Sequence, residues 1–155
     1  MIKARILRLI LTLVIGVVAS AGVNDLSAND SYDSIIKYRK QVMIANAAHI
    51  TAIFSVINGE THFTKHLAAH ATSISQSARF MLETYPPGSD VGRTDAKPAI
   101  WIEWDKFVAA AKSLEQTANE LASVSDSGDM KVMRQRAEAV GKSCGGCHNS
   151  FRKKR

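Results

Sequence analysis

In four separate stretches of this chain, apolar residues return at alternating steps of three and four, a pattern that commits each stretch to an amphipathic helix. The first stretch predicts a helix over residues 31–58, with Ile36, Met43, Ala47, Ile50, Phe54 and Ile57 facing inward and Gly59 as its stop. The second predicts a helix over 61–84, with Phe63, Leu67, His70, Ile74, Ala78 and Met81 inside, and Pro86, Pro87 and Gly88 end it. Pro98 suits the first turn of a third helix, which carries Trp101, Trp104, Phe107, Ala111, Leu114, Ala118 and Leu121 as far as about Ser125. Ser127-Gly128-Asp129 breaks the chain, with Asp129 or Ser127 able to cap a fourth helix over 130–151. Its stripe is Met133, Arg136 or Ala137, Val140, Cys144, Cys147 and Phe151. Two short links and one longer link, residues 85–97, join the four, and no strand-like alternation interrupts them. The fold class is therefore all-α, an antiparallel four-helix bundle. The alternation of threes and fours is the seam of left-handed packing.

The bundle is preceded by a segment of another kind. Lys3, Arg5 and Arg8 give a positive start, Leu9 to Ala19 is almost wholly apolar, and Ala19-Ser20-Ala21 offers the small-x-small pattern of a cleavage site. Residues 1–21 thus read as a secretory signal peptide, leaving 22–155 as the domain. The apolar run is about eleven residues, short of the roughly 20 that span a bilayer, so no stable membrane insertion is expected after cleavage. The formal charge of +6 includes the three cations of this segment and no carboxylate from it, so the mature chain carries +3. Its basic residues gather in Arg152-Lys153-Lys154-Arg155, where they suit a helix C-terminus or the guidance of an acidic redox partner. No nucleic-acid motif accompanies them, and no nucleic acid is expected as a partner.

The chain has two cysteines, placed as Cys144-Gly145-Gly146-Cys147-His148. This is the C-x-x-C-H pattern of c-type haem attachment. Residues three and four apart share a helix face, so both thiols reach the vinyl groups of one porphyrin, and His148 follows at the same edge to meet the iron. The two glycines put no side chain in the way. A disulfide and a thiol-redox pair are the competing uses of C-x-x-C, and a zinc site would need further ligands nearby. Export, the following histidine and the helical setting favour haem: one haem c, bound covalently.

Placed near the end of a helical, exported chain, this motif resembles the cytochrome c′ family and its low-spin relatives. The resemblance covers essentially the whole mature chain. It rests on Tyr38-Arg39 with Met43, on Ala96-Lys97-Pro98-Ala99-Ile100-Trp101, and on Val140 to His148 followed by Phe151-Arg152-Lys153. It implies Cys144 and Cys147 as thioether cysteines and His148 as the proximal iron ligand. It also implies Arg39 beside a haem propionate, where charge-assisted pairing is the natural role. Arg152, one turn after His148, corresponds to an arginine that tunes the proximal ring. Met43 corresponds to the position facing the open side of the iron. There it is read as the sixth ligand, which with imidazole suits electron transfer. The alternative is a five-coordinate iron that binds nitric oxide or carbon monoxide, with Met43 as core filling.

The function expected on these grounds is a periplasmic bacterial electron carrier and not an enzyme, with redox proteins as partners and a diatomic gas as the alternative ligand. His49 and His66 are expected to face solvent, and His70 to be a hydrogen-bonded core residue. The resemblance implies a dimer through the first two helices, and Ile35, Val42, Ile44 and Ile53 are read as extra apolar surface on the outer face of the first.

Overall fold

A computed structural model describes residues 32–154; the expected signal peptide, residues 1–21, lies outside the described residues. The first helix, α1, is Tyr32–Ile57. A 3-10 turn at Thr64–His66 leads into α2, Leu67–Phe80, and a second one at Met81–Thr84 leads out of it. After an irregular stretch come α3, Ala99–Ile102, then α4, Trp104–Val124, and α5, Met130–Phe151. The long helices close a ring: α1 packs on α2, α2 on α4, α4 on α5, and α5 back on α1. The expected four-helix bundle is thus present, with α3 and α4 together filling the place of the third helix. Most of its core comes from the predicted stripes, with Leu67, Ala118, Leu121, Ala137 and Val140 wholly buried, and Ala71 joins them.

The helix ends follow from local chemistry. Gly59 turns the chain at φ +77, a left-handed conformation that only glycine takes without strain. Of the two cap candidates before α5, Asp129 is the one used. Its carboxylate accepts hydrogen bonds from the N–H groups of Lys131 and Val132, at 3.0 and 3.1 Å. Ser127 braces it by accepting from the Asp129 N–H at 3.2 Å.

Five expectations need correction. The third helix is not continuous: Glu103, at φ −114 and ψ 45, separates α3 from α4. Trp101 and Phe107 are six residues apart, about 120° around an unbroken helix. The break lets Trp101 tie its Nε1–H to the carbonyls of Tyr85 and Pro86 while Phe107 is buried in the core. The second helix begins at Leu67, so Phe63 is half exposed and stacks on His66 instead of packing inside. His70 lies partly buried at the edge of the α1–α2 seam, not in the core, with its Nδ1 2.9 Å from the Nδ1 of His49. His49 therefore faces His70 and not open solvent. Ile53, read as outer surface, is fully buried, because the α1 stripe widens to meet both α2 and α5. Ile44 is 60 % exposed. The choice on α5 resolves to Ala137, buried, while Arg136 pairs with Glu120 at the surface.

Candidate functional site

The last two turns of α5 bring Cys144, Cys147 and His148 to one wall of a cavity of about 510 Å3 in the bundle. That volume lies within the roughly 300–1,000 Å3 of small-molecule and cofactor sites. The other walls are mostly apolar and include Ile50, Ile74, Met81, Phe107 and Leu114. Met43, from α1, lines the same cavity as His148. It is partly buried and packed against the core.

The end of α5 is held in place by the loop before α3. The N–H of Arg152 closes on the carbonyl of His148 at 3.0 Å, and the chain then leaves the helix. It runs antiparallel to the loop, with Ala96 opposite Arg152. The Lys97 N–H donates to the Phe151 carbonyl at 2.9 Å, and the Lys153 N–H to the Asp95 carbonyl at 2.8 Å. Arg152 and Ala96 also line the cavity, so this short pairing builds its rim.

Arg39 reaches the cavity from α1 with a buried guanidinium, 3 % exposed. It donates to the Ser89 hydroxyl at 2.8 Å, the Ser89 carbonyl at 2.7 Å, the Thr94 hydroxyl at 2.7 Å and, more weakly, the Thr84 carbonyl at 3.3 Å. It also lies over the Tyr85 ring at 4.7 Å. The arginine that the resemblance places beside a propionate is thus, here, the clamp that fixes residues 84–94 to α1. Sequence reading passed over Tyr85, Ser89 and Thr94, because periodicity carries no signal in an irregular loop.

The electrostatics do not suit a reactive thiol pair. Burial pushes both thiols up, Cys147 to about 11 with Cys144 adding to the effect, so both are protonated near neutral pH. Reactive cysteines are held as thiolates instead. Burial first, and Arg152 second, lowers the pKa of His148. Its imidazole is neutral near pH 7, the form that binds a metal. Both cysteines are free. The donor set and the cavity suit a haem.

Fold and site together define a c-type cytochrome of the four-helix-bundle kind. The family model described as Cytochrome C' matches residues 34–152, and the chain belongs to that family. Cytochrome c' of Pararhodospirillum photometricum is 30 % identical over 123 residues, covering 79 % of this chain and 98 % of that one. Cytochrome c-556 of Agrobacterium tumefaciens (strain II Chrys) is 29 % identical over 122 residues, covering 77 % and 98 %. Among solved structures, cytochrome c' from Rubrivivax gelatinosus superposes with a TM-score of 0.73 at 27 % identity, covering 80 % of this chain and 98 % of that one. A nitric oxide complex of a variant of cytochrome c prime from Alcaligenes xylosoxidans gives 0.72 at 25 % identity, covering 80 % and 98 %. As a member of this family the chain binds one covalent haem c.

Proposed function

We propose that this protein is a periplasmic electron carrier, not an enzyme, whose haem is joined to Cys144 and Cys147 and ligated by His148 and Met43. The observation that carries this reading is that the Met43 thioether and the His148 imidazole line one largely apolar cavity. The haem supplies reversible one-electron chemistry; the protein fixes its place, its ligands and its dielectric. Imidazole and thioether together favour the reduced iron and raise the potential. The dry wall of Ile50, Ile74 and Leu114 acts in the same direction, by disfavouring the extra charge of the oxidised centre. Burial, with Arg152 adding to it, lowers the pKa of His148 and keeps the imidazole neutral and ready to ligate. Secretion through residues 1–21 puts the protein in the compartment where haem is joined to C-x-x-C-H. A homodimer through α1 and α2 completes the proposal.

Electron paramagnetic resonance of the oxidised holoprotein tests the ligation. A low-spin signal that becomes high-spin in Met43→Ala supports it, and a high-spin wild-type signal contradicts it. The second reading, a five-coordinate iron that takes up a diatomic gas, is favoured by the solved relative in complex with nitric oxide. It is the reading that stands if Met43→Ala leaves a high-spin spectrum unchanged. Only monomer in a concentration series by analytical ultracentrifugation rules out the dimer.

A further inference from the structure

The charge of this molecule is not spread over its surface. Lys40 and Arg152 stand in the cavity lining itself. Lys37 and Arg93 line a shallow hollow that shares Lys40 with it. Lys97 and Lys153 flank the short pairing at the rim, and Lys154 follows. Three carboxylates, Asp33, Asp90 and Asp95, belong to the same neighbourhood. Among residues 32–154 there are sixteen Lys and Arg and twelve Asp and Glu, a net +4. Seven cations against three carboxylates make +4 at the rim; the other described residues, the buried Arg39 of the cavity wall set aside, hold eight cations and nine carboxylates, a net −1. The ion pairs Arg79–Glu115, Lys106–Glu103 and Arg136–Glu120 all lie away from the rim.

We propose that this basic rim is the docking face for an acidic redox protein, which exchanges one electron with the haem through the cavity mouth. The inference rests on the electron-carrier reading and adds to it the partner's charge and the face it uses. A ring of one sign around the approach to a redox centre draws in and orients a partner of the other sign, raising association rates roughly 10- to 1,000-fold at low salt. The transfer moves one electron from the reduced donor to the oxidised holoprotein and makes or breaks no bond. An anionic membrane surface would meet the same cations. The protein partner is favoured because the charge surrounds a redox cavity and not an apolar insertion face.

The test is stopped-flow reduction of the oxidised holoprotein by the reduced soluble domain of cytochrome b5, an acidic one-electron donor. We expect the rate constant to fall at least tenfold between about 0.01 and 0.15 M ionic strength, as the screening length drops from about 30 to 8 Å. The triple variant Lys37→Glu, Arg93→Glu, Lys154→Glu is expected to lose at least tenfold at low salt. The remote triple Lys65→Glu, Lys112→Glu, Lys131→Glu changes the net charge equally and is expected to lose less than threefold. Equal losses in the two triples, or a rate indifferent to salt, overturn the proposal. So does binding to phosphatidylglycerol vesicles that the rim triple abolishes while its electron exchange stays normal, the result a membrane-docking face would give. Voltammetry at a neutral, hydroxyl-terminated gold electrode separates the two levels. A holoprotein that does not cycle reversibly there fails as an electron carrier, whereas one that cycles but ignores the rim variants fails only in its docking face.

Discussion

Replacing Arg39 with leucine removes the clamp between α1 and the loop over residues 84–94. Three hydrogen bonds of 2.7–2.8 Å and one of 3.3 Å are lost. Their acceptors stay buried: Ser89 is 0 % exposed, Thr94 8 % and Thr84 9 %. A charged donor's hydrogen bond is worth about 1.5–3 kcal/mol and a stranded buried partner costs about 1–3 kcal/mol. Against this stands the desolvation of the guanidinium, felt as a lowered pKa and recovered when it is removed. The balance places the loss at about 3–5 kcal/mol, among the large effects of single substitutions. For a domain of this size each kcal/mol moves the melting temperature by about 3–5 °C, so far-UV circular dichroism of the holoprotein should show a fall of about 10–20 °C. Hydrogen exchange should quicken first in residues 85–96. Arg39→Lys should recover less than half, since an ammonium cannot fork between Ser89 and Thr94. The control is Arg79→Leu, whose exposed pairing with Glu115 is worth about 1 kcal/mol or less. If Arg39→Leu costs no more than Arg79→Leu, the clamp is not a clamp.

Phe107→Ala, which strips a buried ring in edge contact with both Tyr85 and Phe151, should cost about 3–5 kcal/mol in denaturant melts. Asp129→Ala should cost about 1 kcal/mol, and Asp129→Asn should restore most of it, since either side chain caps α5. Burial and the neighbouring His49 and His66 lower the pKa of His70 in the folded state. The unfolded chain therefore takes up a proton first, and the contribution of His70 to stability is present above about pH 6.5 and lost as the pH falls towards its folded value. Melts from pH 7.5 to 5 should decline less in His70→Gln than in the wild type; identical slopes would refute the assignment.

Much of this was legible in the sequence, for physical reasons that differ by residue. Apolar periodicity reports which face of a helix is buried, so Ile74, Leu114, Leu121 and Val140 were placed correctly. That Cys144, Cys147 and His148 share one cavity wall was legible because local spacing on a helix is enough to bring them together. Three failures share another cause. Periodicity does not say where a helix phase resets, so Glu103 and the late start of α2 at Leu67 went unseen, and Phe63 was put inside. It does not count neighbours, so Ile53 was placed on the surface of a helix that meets two others. It is also blind to polar anchors in loops. The partners of Arg39, at least 45 residues away, and the pairing of Ala96 with Arg152 are set by tertiary contact.

Optical spectroscopy of the holoprotein, oxidised and reduced, with and without carbon monoxide, bears most directly on the central claim that His148 and Met43 hold the iron between them. The account predicts a low-spin spectrum in both states, a thioether–iron charge-transfer band at the red end of the oxidised spectrum, and no change on adding carbon monoxide. A high-spin spectrum that shifts with carbon monoxide would contradict it, leaving Met43 as cavity wall and the iron open to a gas.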